Sequence, residues 1–225
     1  IAVPRIFERF YERLQDQLAK RSLLAQMIFK LAVHVGWKRF MAQQGRGRPS
    51  VLFFLWPWLR QRVAAPVTQR FGGELLMAVS GGAPLPPVIA RIFIALGVNV
   101  LQGYGMTECS PVISVNRLLA NDPGSVGKPL ANTTVRIGEN DELQVKSAGV
   151  MLGYWNNHKA THDAIREEGW LCTGDKARID QDFIYITGRI KDILIMSNGE
   201  KIPPTDMEEA ITLDPLFAQA LVVGE

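Results

Sequence analysis

Cysteine is scarce in this chain: Cys109 and Cys172 are the only two among 225 residues. Two thiols cannot form a disulfide framework and neither lies at a metal-binding spacing, so a disulfide-stapled scaffold is excluded and a reducing, cytoplasmic setting is expected. Histidine is nearly as rare. His158 and His162 stand four apart on an expected helix, a ligand spacing, but no third ligand is near and no metal centre is predicted there. No charged segment followed by an apolar core opens the chain, so no signal peptide is read. The longest apolar run, Val51 to Leu59, is about half of the ~20 residues that cross a bilayer, and Pro57 interrupts it. Internal repeats and low-complexity stretches are missing too, which excludes solenoids and disordered tails.

What is present suits a globular protein. At 47% hydrophobic residues the chain can bury a sizeable core, as one large domain or as parts of two. The formal charge of +3 conceals an asymmetry. Residues 1–70 carry thirteen Lys and Arg against three acids, a balance of +10, and the remainder carries twelve against nineteen, a balance of −7. A positive N-terminal face suits contact with anionic phospholipid, as a peripheral protein on the inner membrane face, and is equally compatible with a solvated helix surface. Nucleic acid is not an expected partner.

From Ile6 to about Phe40 the spacing of Phe7, Phe10, Leu14 and Leu18 predicts amphipathic helix, and Gly45 to Pro49 breaks it. A further helical stretch is expected through Trp56 and Trp58 to Arg70. Leu75 to Val79, closed by Ser80-Gly81-Gly82, reads as a buried parallel strand, and with a helix over Pro86–Leu96 and a strand over Val98–Leu101 it makes a β-α-β unit. Ligands in such sheets bind beyond the carboxyl ends of the strands, where the loops at Gly81 and Gly103 lie. From Gly124 the pattern becomes short strands, at Thr134–Ile137, Glu142–Lys146 and Phe183–Ile186, as in a small antiparallel sheet or barrel. After Arg189 come an apolar run, a hairpin signal at Asn198-Gly199 and a helix over Pro204–Thr212.

The octet Leu101-Gln102-Gly103-Tyr104-Gly105-Met106-Thr107-Glu108 carries the most chemistry. Its glycines allow main chain to approach a ligand, Tyr104 offers a flat face to a purine, Thr107 a hydroxyl to phosphate, and Glu108 a hard oxygen to Mg²⁺. By itself the octet reads equally well as a Gly-rich turn followed by a helix capped at Thr107.

Further motifs occur in order: Ser80-Gly81-Gly82-Ala83-Pro84-Leu85, Gly149 to Trp155, Trp170 to Asp175, Tyr185 to Asp192, and Ser197 to Ile202. With the octet, this series resembles the adenylate-forming (AMP-binding) superfamily, and the opening Val3 to Glu8 resembles its long-chain fatty acyl-CoA synthetase branch. The resemblance implies an α/β fold. A parallel-sheet layer with helices would fill residues 1–114, a small antiparallel β-barrel or sheet 115–190, and the start of a hinged α+β C-terminal domain 191–225.

The resemblance also implies roles. Gly81, Gly82, Ala83 and Tyr104 would line adenine, with Gln102, Gly103 and Ile186 in the same nucleotide-binding set. Gly105 and Met106 would border the acyl chain. Thr107 would meet the α-phosphate of ATP, Glu108 the Mg²⁺, Asp175 both ribose hydroxyls, and Arg189 the nucleotide through its planar fork. Lys191 matches the hinge about which the small domain rotates, where many members carry Asp. Ser197, Asn198 and Gly199 match the loop lining the pantetheine tunnel of CoA, and fit an ordinary hairpin turn as well.

Two family features do not occur in these residues: a Ser/Thr/Gly-rich phosphate loop ending in Pro-Lys-Gly, and the catalytic lysine near the family's C-terminus. The expectation is therefore an internal piece of a longer enzyme, inactive alone, whose parent joins a long-chain fatty acid to CoA through an acyl-adenylate (AMP ester). Transfer to acyl-carrier protein, or arrest at the adenylate, is the near alternative; a non-catalytic nucleotide- or lipid-surface-binding module is the distant one.

Overall fold

A computed structural model describes residues 4–72, 75–192, 194–195, 201–202, 204–212, 214, 216–217 and 219–223. The chain divides into two compact units, residues 1–103 with 116–124, and residues 104–115 with 125–225.

The first unit begins with α1 (Pro4–Ala19) and α2 (Leu23–Gln43). The four apolar positions expected to share one face of α1 do so: Phe7 and Leu14 are buried, and Phe10 and Leu18 pack against the two cores of this unit. The single helix expected to Phe40 is in fact two. Ser22 caps the second, its hydroxyl accepting from Ala25 N at 3.4 Å, because a short side-chain acceptor satisfies amide groups that a helix start leaves without partners. From Val51 the chain winds irregularly, as a 3₁₀ turn (Val51–Leu55), α3 (Trp56–Leu59), a wide π turn (Arg60–Ala64) and α4 (Ala65–Gln69). The wide turn precedes Pro66, whose ring would collide with the carbonyl of Arg62 in a regular helix, and Ala65 N instead bonds Arg60 O.

Strand β1 (Ala78–Ser80), helix α5 (Pro87–Ala95) and strand β2 (Val100–Gly105) supply the expected β-α-β unit, with β1 and β2 parallel and Ala78 opposite Val100. The first strand is shorter than expected. Leu75, Leu76 and Met77 are exposed and irregular, because pairing starts only where Asn99 ends the approach, its side chain donating to Leu76 O at 2.7 Å and its carbonyl accepting from Ala78 N at 2.9 Å. Strand β2, by contrast, runs through the glycines to Gly105 rather than ending at Leu101. Phe7 and Phe71 both meet Phe93 edge-on in the core under α5, with ring centres 5.6 Å apart in each pair.

The chain enters the second unit within β2. There β3 (Val112–Val115) pairs antiparallel with β4 (Lys128–Pro129). Strands β5 (Thr134–Ile137) and β6 (Glu142–Lys146) are followed by α6 (His158–Ala164), β7 (Ile165–Arg166), β8 (Trp170–Asp180) and β9 (Phe183–Arg189). All pairings among these strands are antiparallel. The long β8 has β6 on one side and β7 and β9 along the other, and Leu143, Val145, Leu171, Ala177 and Ile184 project into one core with Cys109 and Ile113. Short strands β10 (Leu194–Ile195) and β11 (Lys201–Ile202) pair antiparallel, and α7 (Pro204–Thr212) follows with proline at its first position, where no amide donor is needed. The hairpin signal at Asn198-Gly199 lies outside the described residues. Among those described, no helix is long and apolar enough to cross a membrane.

Candidate functional site

In the second unit the last third of the sequence meets the glycine octet. Asp175 lies in β8 directly opposite Arg189 in β9, so both point from one sheet position. Gly174 has φ +73°, a left-handed conformation that glycine adopts without strain, and the bend it makes is braced on both sides. Its amide donates to Glu142 Oε1 at 2.9 Å, and the Thr173 hydroxyl donates to Leu143 O at 2.8 Å while accepting from Asp175 N at 3.1 Å. The Asp175 carboxylate is thereby presented at a fixed angle with only 10% of its side-chain surface exposed. Oδ2 accepts from the Tyr104 hydroxyl at 2.5 Å and Oδ1 from Arg189 Nε at 3.1 Å.

The two partners differ in character. Arg189 keeps 71% of its side chain in solvent, so its attraction to Asp175 is screened and its guanidinium head is presented outward. Tyr104 is the drier partner. Burial, and after it the bond to Asp175, push the phenol far above its ordinary value, so it stays a proton donor under all physiological conditions. An ionised carboxylate has about four acceptor positions, and two hydrogen bonds leave capacity for a vicinal diol. The sequence reading assigned Tyr104 and Asp175 separate contacts; the structure shows that they hold each other.

Beyond β2 the chain makes one 3₁₀ turn, Thr107–Cys109, and folds back. Thr107 is the first residue of that turn and is exposed, while Met106 holds the capping position, so the alternative of a helix capped by Thr107 does not describe the structure. Gly105 is required for packing: a Cβ there would stand 2.0 Å from Pro111 O, the carbonyl that accepts from Met106 N at 2.8 Å. Met106 packs partly buried on the core of this unit, as does Ile186 from β9. Glu108 accepts from the Tyr154 hydroxyl at 2.8 Å, and its main-chain oxygen accepts from Met151 N at 2.8 Å. The bond to Glu108, then burial, raise the Tyr154 phenol above its ordinary value. Tyr154 was missed as a site residue, although it sits inside the Gly149 to Trp155 motif.

Glu108 is a single carboxylate. Among the described residues no group of three His, Cys, Asp or Glu could hold a metal by itself, and His158 and His162 on α6 form no such group. One carboxylate suits Mg²⁺, which keeps several waters and takes its other ligands from substrate phosphates.

The first unit places Gly81, Gly82 and Ala83 just past the carboxyl end of β1. Gly82 has φ +87°, and a Cβ on Gly81 would lie 3.2 Å from Gly103 O, so small residues let this loop run close along β2. Ala83 is exposed. Gln102 is buried like Leu101 before it, with its amide engaged by protein groups. Lys191 is exposed in a single 3₁₀ turn, Ile190–Asp192. Ser197, Asn198 and Gly199 lie outside the described residues.

The profile of the AMP-binding enzyme family matches residues 1–155, and that of the AMP-binding enzyme C-terminal domain matches residues 191–225. The chain belongs to the AMP-binding enzyme family. Curated relatives include the long-chain-fatty-acid–CoA ligase FadD15 of Mycobacterium bovis, 33% identical over all of this chain and 37% of that protein. The human long-chain-fatty-acid–CoA ligase ACSBG1 is 30% identical over all of this chain and 32% of its own length. The chain thus spans about a third of the length of the curated relatives it matches. Among solved structures, the o-succinylbenzoate CoA synthetase of Bacillus subtilis with its acyl-adenylate intermediate superposes with TM-score 0.62 at 28% identity, over 72% of this chain and 37% of that one. The same enzyme with ATP and magnesium ion gives TM-score 0.58 at 28% identity, over 68% and 36%.

Proposed function

We propose that the chain forms the nucleotide side of an ATP-dependent ligase that adenylates a long-chain fatty acid and then transfers the acyl group to CoA. The observation that carries this reading is the nearly buried Asp175 carboxylate, fixed between the Tyr104 phenol and the Arg189 guanidinium with acceptor capacity left for a ribose. In this reading Asp175 accepts the two ribose hydroxyls, Arg189 meets nucleotide oxygens, and Tyr104, its hydroxyl anchored, turns its ring to adenine, which the Gly81–Ala83 loop also receives. Thr107 donates to the α-phosphate and Glu108 holds Mg²⁺, which spreads the phosphate charge.

A carboxylate oxygen of the fatty acid attacks the α-phosphorus, the bond to the bridging oxygen breaks, and pyrophosphate leaves. The CoA sulfur, having lost its proton, then attacks the acyl carbon and AMP departs. Both steps bring anionic groups together, so positioned donors and cations supply most of the catalysis. Relatives named as long-chain-fatty-acid–CoA ligases, at 30–33% identity over the whole chain, support the acid and favour CoA over acyl-carrier protein as acceptor. The balance of +10 over residues 1–70 supports peripheral contact with anionic lipid, where such acids dissolve. These 225 residues contain no Pro-Lys-Gly phosphate loop, and by themselves they are proposed not to form the adenylate.

The C-terminal-domain profile beginning at residue 191 supports a hinge at Lys191, with Ser197, Asn198 and Gly199 reaching the pantetheine arm after rotation. Proline at a hinge fixes φ near −65° and blocks that rotation. In the full-length protein, palmitate-dependent ATP–pyrophosphate exchange is expected in the wild type and in Lys191→Pro, with palmitoyl-CoA formation about a hundredfold or more lower in the variant, as for a lost conformational step. Exchange absent from the wild type would refute the function; equal losses in both half-reactions would refute the hinge.

A further inference from the structure

Gln102 sits in the octet, yet its side chain is taken up by two hydrogen bonds within the protein. It is 8% exposed, and its amide oxygen accepts from Leu85 N at 3.3 Å while its amide nitrogen donates to Pro123 O at 2.6 Å. Leu85 closes the Gly81–Gly82–Ala83 loop, and Pro123 belongs to residues 116–124 of the same unit. A primary amide supplies an acceptor and a donor at two corners of one rigid plane, and here both are used.

The 116–124 segment is itself held firmly. Asn121 Nδ2 donates to Val100 O at 3.0 Å, and Asn116 takes Asp122 N at 2.8 Å. From the end of α2, Arg46 Nη1 pairs with Asp122 Oδ2 at 2.6 Å, and Gln44 Oε1 accepts from Asn121 N at 2.9 Å while its amide donates to Leu118 O at 2.9 Å. Among the described residues the loop past β1 shows no such anchors of its own: Gly82 adopts φ +87° with nothing within 4 Å of where a Cβ would be, and Ala83 and Pro84 are exposed.

We infer that Gln102 is a positioning residue for nucleotide, which ties the Gly81–Ala83 loop to the anchored 116–124 segment and so sets where adenine is received. The inference rests on the proposed adenylation reading and deepens it. A loop of two glycines samples many conformations, and one placed in advance by a buried amide loses less entropy when the base arrives. The consequence is selective. Losing the tie should weaken ATP and leave the acid alone.

The test is palmitate-dependent ATP–pyrophosphate exchange in the full-length protein, with KM determined separately for ATP and for palmitate. Gln102→Met keeps the length and removes both bonds. Gln102→Met is expected to raise the ATP KM about tenfold, the effect of one to two buried hydrogen bonds, with the palmitate KM within about twofold. Arg46→Ala loosens the anchor from a distance, leaves Gln102 in place for the case that the core variant folds poorly, and should raise the ATP KM about threefold, again without moving the palmitate KM. Equal rises in both KM values, or a loss of kcat with an unchanged ATP KM, would reduce Gln102 to a fold-stabilising residue and overturn the inference while the adenylation reading stood. A wild type without exchange would overturn both.

Discussion

At the scale of single residues, the motif positions were legible and their mutual contacts were not. Asp175 and Arg189 could be singled out because each charged group follows a glycine in a patterned run, and Thr107 and Glu108 because they close the run that begins at Gly103. The bond between Tyr104 and Asp175 spans 71 residues, and nothing in either neighbourhood announces it, because tertiary packing decides the meeting. It has a measurable consequence in alkali. The phenol is raised by burial and by Asp175, so the folded state holds its proton more tightly than the unfolded chain does. The stability this contributes is fully present below the ordinary phenol value of about 10 and is lost as pH climbs above it toward the folded value. Tyr104→Phe should therefore lower unfolding stability by about 1–3 kcal/mol near pH 7, the cost of removing one partner from a buried charged hydrogen bond. The gap to wild type should narrow above about pH 10, where the unfolded phenol releases its proton. Urea titrations at pH 7, 9 and 10.5 would measure this, and a gap constant with pH would show that the phenol does not hold its proton as described.

At the scale of elements, hydrophobic periodicity found the helices and strands, and local chemistry corrected their ends. The break at Ser22 and the wide turn before Pro66 were both written in the sequence as a capping hydroxyl and an imino acid, but the surrounding apolar pattern outweighed them. Strand β1 ended short because its length depends on where Asn99 lets pairing begin, a tertiary fact. Gly36 is another position that pattern hid, a glycine inside an apolar helix. A Cβ there would stand 1.9 Å from Ala95 O and 2.8 Å from the Trp56 ring, so this glycine sets how closely α2 passes the end of α5. Gly36→Ala replaces a poor helix former with the best one, worth about 1 kcal/mol in an open helix. Here the clash should win and the net change should be a loss of about 1–3 kcal/mol, as for an overpacked core. Thermal unfolding checks the sign: a raised Tm would mean that the helices separate freely and that the close crossing is not needed.

At the scale of the whole molecule, the α/β layer followed by an antiparallel sheet was readable because the motif order fixes a family, and family profiles cover residues 1–155 and 191–225. What stayed hidden is how loops distant in sequence are tied, as Gln102 ties Leu85 to Pro123, since an amide with two partners looks the same in sequence as one with none. The account turns on Asp175 as the group that receives the nucleotide. Isothermal titration of the full-length protein with ATP and Mg²⁺, wild type against Asp175→Asn, tests it most directly, because the amide keeps the shape and an acceptor for Tyr104 but loses the charge and half of the acceptor capacity. ATP affinity is predicted to fall by about tenfold or more, the worth of a charge-assisted hydrogen bond, with palmitate affinity unchanged; an unaltered ATP affinity would contradict the account.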